Sequence, residues 1–522
     1  AGNRRFASAI RYIVQGYRGS MRLLLISLLF SIAIYAQSPA VEAARQWRKA
    51  NEPAIMDEFS TLLAIPNVAT DRANIRRNAD LLRKMIENRG LTSRLLEVPD
   101  ANPVVYAEWK NPSAKLTVVF YAHYDGQPVT PADWKGGTPF TPILRTGIVD
   151  NGAKDLPLTG HATFDPEWRL YARAASDDKA PIQMMLTALD ALKAKGIAPT
   201  VNLKLVFEGE EEAGSTNLAR IIEAHKDVLK SDVWLICDGP VDQSRQRQIV
   251  FGARGNQIVD FTVYGPRREL HSGHYGNWAP NPAMSMARLL ASMKDDNGRI
   301  LVEGFYEDLM PLSAADKKAL AEMPVNDDEL KKELWLAGVD GGGRTLSELL
   351  TEPSLNIRGI QSAHVGAGAA NVIPSTATVS IDIRLVKGIS KDQAVARLKR
   401  HIEKQGFFVS EKEPDEAMRK THLKVAWMQV RRSGYDAVRT PMDLPIAQTV
   451  IRNIENAFGK VVKRPNTGGS VPLFMIEQIL RAPTIQIPTV NHDNNQHSFN
   501  ENLRIANLWE GIETMAVLLT MN

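Results

Sequence analysis

The chain has 522 residues, of which 44% are hydrophobic and 23% are charged, and this composition excludes a disordered, collagen-like or coiled-coil protein. Its single cysteine, Cys237, excludes an internal disulfide, and we expect this side chain to be buried. The net charge of +4 comes from five arginines that precede the first acidic residue, Glu42. The remainder is near neutral, which gives no electrostatic argument for nucleic-acid binding.

Residues 1–36 have the pattern of a secretory signal with an upstream segment. An apolar run at 23–36 follows Met21 and Arg22 and ends at the small residue Ala36. The run is shorter than the roughly 18 residues of a bilayer-spanning helix. We therefore expect an exported chain, periplasmic or secreted, with no membrane attachment after cleavage. The alternative is an uncleaved N-terminal anchor.

Strands and helices alternate after residue 40 as they do in an α/β layer. Apolar strands are predicted at 116–122, 201–207 and 233–237, with a helix at 182–192. The same alternation of helices and strands returns late in the chain, where the pattern predicts a helix at 444–458, a strand at 484–488 and a helix at 505–519. We therefore predict an α/β fold in which residues 41–251 and 421–522 form one discontinuous domain with a mostly parallel sheet flanked by helices.

A smaller α+β domain is predicted between these parts, at residues 252–420. A strand is expected at 258–264, and the strand at 376–384 alternates apolar and polar residues, which is typical of an antiparallel sheet with one buried face. Ser390 and Gln393 have the spacing of a capping box, which predicts a helix immediately after it.

Acidic and histidine residues follow the ends of the predicted strands, where open α/β sheets place their sites. Each cluster alone has an ordinary structural explanation, such as a buried histidine, acids at a helix start, a solvated charge run or a turn. Together they indicate a site for two divalent metal ions with mixed histidine and carboxylate ligands. The clusters are His123-Tyr124-Asp125, Ser176-Asp177-Asp178-Lys179, the run from Glu208 to Ser215 that includes Glu211 and Glu212, Cys237-Asp238-Gly239, and the segment from His492 through His497 to Glu501.

The order and context of these motifs resemble the M20 metallopeptidases, within them the carnosinase-like and cytosolic nonspecific dipeptidase-like branch, over residues 50–520. The resemblance implies a catalytic domain, an inserted lid and dimerisation domain, and two divalent metal ions, zinc or in some members manganese. It also implies the site. Asp177 would bridge the two ions, Asp125 would orient a ligand, and Glu211 would be the general base; the other ligands would be His123 and Asp238 on one ion, and Glu212 and His497 on the other.

The resemblance further implies residues that bind a small peptide substrate. His271 would contact the tetrahedral intermediate, reaching across a homodimer, with His274 as an alternative. Arg384 would hold the substrate carboxylate, and Asn371 and Ser470 would line the site. The chain departs from the family where glycines are common, at Ala172, Ala174 and Ala180, and ordinary backbone angles are expected there. The stretch at 126–170 is expected to form a surface loop beside the site.

Several functions stay open at this point. Asp238, rather than glutamate, favours a di- or tripeptidase over the alternative of an N-acyl-amino-acid amidohydrolase or a carboxypeptidase of the same family. A catalytically silent binding protein is a further alternative, although all the expected ligands are present. The absence of a Gly-x-Ser-x-Gly motif argues against a serine hydrolase.

Overall fold

The structure is a computed structural model that describes residues 38–469 and 473–522. The predicted signal at 1–36 and the predicted substrate residue Ser470 lie outside the described residues. Within the described ranges, no helix has the length and apolar character needed to cross a bilayer.

The first part of the chain, up to Val250, supplies most of a large sheet and the helices that cover it. Its helices are α1 (Pro39–Leu63), α2 (Arg72–Glu87), α3 (Lys179–Ala194), α4 (Leu218–Ala224) and α5 (Lys226–Leu229). Its strands are β1 (Thr92–Leu96), β2 (Val104–Trp109), β3 (Thr117–His123), β4 (Ile143–Arg145), β5 (Asp155–Leu156), β6 (Arg169–Tyr171), β7 (Asn202–Glu208), β8 (Val233–Ile236) and β9 (Gln248–Val250).

The middle part of the chain contains a second unit, although Ala253, Ala319 and Val438 pack in the cores of the larger one. Its strands are β10 (Gly252–Ala253), β11 (Gly255–Tyr264), β12 (Leu270–His271), β13 (Ser354–Gln361), β14 (Val372–Ile373), β15 (Thr376–Leu385), β16 (Phe408–Ser410), β17 (Val425–Val430) and β18 (Val438–Arg439). Its helices are α6 (Ser272–Tyr275), α7 (Pro282–Ala291), α8 (Ala314–Glu322), α9 (Asp327–Glu333), α10 (Leu346–Leu349), α11 (Lys391–Lys404) and α12 (Glu416–Thr421).

The last part returns to the large sheet with α13 (Pro445–Phe458), β19 (Val462–Arg464), α14 (Leu473–Leu480), β20 (Thr484–Gln486), β21 (Asn502–Arg504) and α15 (Ile505–Leu519). Among the described residues, the large sheet has the order β1-β2-β7-β3-β8-β20-β9-β19. The neighbours β7, β3, β8 and β20 are parallel, whereas β1, β2 and the β20–β9 contact are antiparallel. The α/β prediction is confirmed, as a mixed sheet with a parallel centre.

Helices cover both faces of this sheet, which explains why its central strands are apolar runs without alternation. In β3, Val118 and Phe120 join the core formed with α1, α3 and α15. Val119 and Tyr121 face the opposite core with α4 and α14. Cys237 lies fully buried just after β8, as expected from the sequence.

The second unit is built on the sheet β13-β15-β11-β17-β16. The apolar residues of β15 alternate as predicted, since Val379, Ile381 and Ile383 are buried against α7 and α11. Ser390 and Gln393 form the predicted capping box at the start of α11. The unit extends past residue 420, the end expected from the sequence, because β17 pairs with both β11 and β16.

The stretch at 126–170 is an ordered part of the larger unit. Its strands β4 and β5 continue a small sheet with β6 and β21 in the order β21-β6-β4-β5. This sheet supports the His497 segment, because β21 follows that segment in the chain. The Arg169 guanidinium of β6 also donates to the backbone oxygen of Asp493 and to the Asn502 side chain.

Candidate metal centre

The parallel strands of the large sheet carry the candidate ligands to one edge. His123 is the last residue of β3, and Asp238 follows β8, which is the neighbour of β3. Carboxyl ends of parallel strands meet at the same edge, where open α/β sheets form their sites. A cleft of about 930 Å³ opens there, a size typical of a small-molecule site. Its lining includes five of the residues predicted as metal ligands or general base: Asp177, Glu211, Glu212, Asp238 and His497.

Asp177 lies between two histidines that come from opposite ends of the chain. His123 Nε2 is 3.0 Å from Asp177 Oδ1, and His497 Nε2 is 3.1 Å from Asp177 Oδ2. Burial acts to raise the pKa of Asp177, but the hydrogen bonds with the two histidines outweigh it and hold that pKa below its usual value. The hydrogen bond to Asp177 raises the pKa of His497 to about 9. Each carboxylate oxygen thus faces one histidine, as a bridging ligand requires.

Two groups of potential metal ligands meet around this carboxylate. The ligand atoms of His123, Asp178 and Asp238 lie within 4.8 Å of one another, and so do those of a second group, Asp177, Glu212 and His497. Asp178 was not among the ligands expected from the sequence. Its Oδ2 accepts a hydrogen bond from the His123 backbone amide, whereas its buried Oδ1 has no hydrogen-bond partner. Two carboxylates, Asp177 and Asp178, are therefore available to the group around His123.

The electrostatics of the cleft fit divalent cations. Burial raises the pKa of Asp238 to about 6 and that of Glu212 to about 7, and the charge of Asp177 adds to both shifts. Burial also raises the pKa of Glu211 well above its usual value. Crowded, buried carboxylates favour protonation unless a cation offsets their charge. Nitrogen and oxygen ligands of this kind suit zinc or manganese.

The structure separates the roles of the three consecutive glutamates. Glu210 turns away from the cleft, because its carboxylate accepts hydrogen bonds from the backbone amides of Asn102 and Asn217. Asp125 accepts hydrogen bonds from the amides of Glu211 and Glu212, each at 3.0 Å. These bonds hold the side chains of Glu211 and Glu212 at the cleft, where Glu211 Oε2 lies 3.9 Å from His123 Nε2.

Asp125 also contacts His123. The ring Nδ1 lies 3.2 Å from the backbone oxygen of Asp125 and 3.4 Å from its Oδ1. Such a contact fixes the orientation of a ligating histidine through the nitrogen that does not face the metal. The carboxylate of Asp125 therefore supports both the histidine and the glutamate turn.

Glu501 supports the site, a role that was not expected from the sequence. Its side chain is 1% exposed, and its two oxygens accept five hydrogen bonds. The donors are the Arg173 guanidinium, the Ala174 amide, the Ser176 amide and hydroxyl, and the Asp177 amide. Glu501 thus connects the His497 segment to the Asp177 loop. Only its proximity to His497 in the sequence pointed to it.

The Glu501 contacts also explain an unexpected backbone angle. Ala174 has a φ of 62°, in the left-handed region that favours glycine. The prediction of ordinary backbone angles at Ala172, Ala174 and Ala180 is therefore wrong for Ala174. Its amide donates to Glu501, and its backbone oxygen accepts from the Lys179 amide. These two hydrogen bonds hold alanine in a conformation that costs roughly 1 kcal/mol or more.

We expect Glu501→Gln to lower metal affinity and turnover by roughly 10- to 100-fold. The NH₂ group of glutamine would face hydrogen-bond donors that now donate to the Glu501 carboxylate. Metal affinity would be measured by competition with a chelator, and turnover by steady-state kinetics. Glu416→Gln, on the exposed surface of α12, is the control. Equal metal affinity in Glu501→Gln and wild type would contradict the positioning role.

The structure brings only part of the predicted substrate set to the cleft. Arg384 lines the cleft, with its Nε donating to Asp382 Oδ2 at 3.1 Å. His271, on β12, and Asn371, directly before the neighbouring strand β14, are exposed and are not among the described residues that line the cleft of their own chain. The His271 ring lies against His274, with centroids 4.5 Å apart.

Known proteins resemble the chain over most of its length. The model of "Peptidase family M20/M25/M40" matches residues 119–521. Cys-Gly metallodipeptidase dug1 of Schizosaccharomyces pombe is 27% identical over 479 residues, which cover 88% of this chain and 94% of that protein. Beta-Ala-His dipeptidase of Homo sapiens is 28% identical over 419 residues, which cover 79% of this chain and 76% of that protein.

A solved structure agrees with these matches. The M20 family metallo-carboxypeptidase Sso-CP2 from Sulfolobus solfataricus has a TM-score of 0.69 at 27% identity, with 89% of this chain and 98% of that chain covered. The predicted resemblance to the dipeptidase branch is confirmed by the two dipeptidase relatives. Since the family model matches well over half of its residues, the chain belongs to peptidase family M20/M25/M40.

Proposed function

We propose that this peptidase hydrolyses dipeptides and short peptides with a free C-terminal carboxylate, using a pair of zinc ions. The observation that carries the proposal is the position of Asp177, with one carboxylate oxygen at each of two histidines. In this proposal Asp177 would be shared by the two ions. His123 and Asp238 would hold one ion, with Asp178 as a further candidate ligand, and Glu212 and His497 would hold the other.

The residues of the chain divide the chemistry among them. The ions, when bound, would lower the pKa of a water molecule and polarise the scissile carbonyl. Glu211 takes a proton from the attacking water and delivers it to the nitrogen of the leaving amine. The Asp125 carboxylate holds Glu211 in place by accepting a hydrogen bond from the Glu211 backbone amide. Burial raises the pKa of the Glu211 carboxyl group and so makes it a stronger base.

Arg384 is proposed to bind the substrate carboxylate, because a guanidinium can donate two parallel hydrogen bonds to it. We expect Arg384→Ala to lower kcat/KM for a free dipeptide by about 100-fold, or about 3 kcal/mol. The C-terminally amidated dipeptide, which has no carboxylate, would lose much less. The measurement compares kcat/KM for the two substrates; equal losses would contradict this role.

We further propose that the enzyme is a homodimer in which His271 reaches the cleft of the partner subunit. This accounts for a histidine that is exposed and is not among the described residues that line the cleft of its own chain. Mixing a His271→Ala chain with a Glu211→Gln chain should recover up to about a quarter of wild-type activity, because half the dimers would then have one complete site. No recovery under conditions that exchange subunits would contradict the proposal.

The substrate class is tested with a matched pair, Leu-Phe and N-acetyl-Phe, each with zinc-loaded protein and with a chelated control. Chelator-sensitive hydrolysis of Leu-Phe alone supports the peptidase proposal. Hydrolysis of N-acetyl-Phe alone would replace it with the second candidate, an N-acyl-amino-acid amidohydrolase. A carboxypeptidase activity on longer peptides is a further candidate, favoured by the similarity to Sso-CP2.

We also propose that the protein is exported, on the strength of the apolar run at 23–36 and the arginines that precede it. Fractionation of cells that express the full chain, followed by sequencing of the mature N-terminus, tests the proposal. A cytoplasmic product with an intact N-terminus would overturn it.

A further inference from the structure

A second chamber opens from the cleft. It has a volume of about 320 Å³ and shares six lining residues with the main cleft: Asp238, Gly239, Pro240, Thr467, Gln486 and His492. Arg384 and Tyr435 line the main cleft but not the chamber. The chamber therefore adjoins the cleft at Asp238, on a path that does not include the proposed carboxylate site.

The outer wall of this chamber is a firmly attached part of the fold. Its lining residues come from the segment just before α9, from α9 and α10, and from Leu350 directly after α10. The Asn466 amide donates to the backbone oxygen of Leu350, and the Arg254 guanidinium donates to that of Glu352, at 3.3 and 3.0 Å. On the preceding helix, Ala319 is buried in the core of the larger unit. The chamber is thus enclosed by ordered structure on the wall side as well as on the sheet side.

The chamber has an excess of negative charge. Arg464 is the only lysine or arginine among the described residues that line it, and it is already bonded to Asp242 and Gln248. Because Asp242 pairs with Arg464 and Asp238 is assigned to a metal ion, Asp327 is the lining carboxylate whose charge remains for a ligand. Asp327 lies on the wall, where its Oδ2 accepts from the Leu346 amide at 2.9 Å. A negatively charged, partly enclosed chamber favours an ammonium group over a carboxylate.

We propose that this chamber binds the amino-terminal residue of a tripeptide-length substrate, with the α-ammonium group facing Asp327. The proposal rests on the function proposed above, in which Arg384 holds the C-terminal carboxylate. The peptide then runs from Arg384 past the metal ligands into the chamber. Hydrolysis adds water across the bond nearest the C-terminus, so the dipeptide product gains the new carboxylate and the released amino acid gains the new amine.

The identity of the first products tests the direction of binding. Gly-Leu-Phe incubated with the zinc-loaded protein should give Phe and Gly-Leu first, and chromatography would measure each product over time. Gly and Leu-Phe as the first products would overturn the inference, because the additional residue would then lie on the Arg384 side. If the enzyme fails to cut Leu-Phe as well, the proposed function itself is overturned and this inference falls with it.

Two variants test the chamber itself. Ser347→Phe, on its wall, should lower the ratio of kcat/KM for Gly-Leu-Phe to that for Leu-Phe by about tenfold. Lys332→Phe, exposed on α9 and not part of the chamber lining, is the matched control and should leave the ratio unchanged. An unchanged ratio in Ser347→Phe would overturn the inference.

Asp327→Asn keeps a hydrogen-bond acceptor for the Leu346 amide but removes the charge. It should raise KM for Gly-Leu-Phe by threefold or more and leave KM for N-acetyl-Gly-Leu-Phe unchanged, since the acetylated peptide has no ammonium group. Equal effects on both peptides would overturn the role of Asp327. This comparison stays decisive even if Ser347→Phe fails to fold.

Discussion

Glu211→Gln should lower kcat for a dipeptide by about 10³- to 10⁴-fold while the protein keeps its two metal ions. Glutamine has the shape of glutamate but cannot accept a proton from water at neutral pH. The backbone amide of residue 211 would still donate to Asp125, so the turn should keep its conformation. Turnover and metal content are measured on the same preparation.

Glu212→Gln provides the matched comparison, because the two residues are adjacent and share the support of Asp125. Glu212 lies 3.4 Å from His497 and belongs to a ligand group, so its replacement should lower metal content together with activity. Near-wild-type turnover in Glu211→Gln would remove this residue as the base. Loss of metal from Glu211→Gln would instead assign it as a ligand.

Asp177→Asn should abolish turnover and reduce bound metal to less than about one ion per chain, because a bridging carboxylate supplies charge to both ions. The neutral amide would also leave His123 and His497 without the carboxylate that now accepts from both rings. Metal content is measured by elemental analysis after dialysis against metal-free buffer.

The neighbouring residue is the control for this prediction. Asp178 belongs only to the group around His123, so Asp178→Asn should keep the ion held by Glu212 and His497. If Asp178→Asn loses both ions and Asp177→Asn keeps both, then Asp178 is the bridging residue and the proposed assignment is wrong.

The central strands could be predicted because their burial on both faces produces uninterrupted apolar runs. The three strands predicted in the first part are found at Thr117–His123, Asn202–Glu208 and Val233–Ile236; the first two are shifted by one residue, and the third ends one residue early. Since parallel strands end at one edge, the sequence also predicted that their terminal residues would gather. The end of the second unit was predicted less well, because β17 joins it through a long-range pairing with β11 that no local pattern indicates.

The supporting contacts of the site could not be predicted from local pattern. Glu501 acts through five donors located about 325 residues earlier in the chain, and no periodicity indicates such a contact. The orientation of Glu210 away from the cleft depends on Asn102, in a loop that precedes β2. The second chamber depends on how α9 and α10 pack near β19, which is a property of the folded chain.

The number of metal ions needed for activity tests the central claim most directly. Metal-free protein would be titrated with Zn²⁺ while hydrolysis of Leu-Phe is followed. The dinuclear account predicts that activity rises until two equivalents per chain are bound. Full activity at one equivalent, or in the presence of excess chelator, would contradict it.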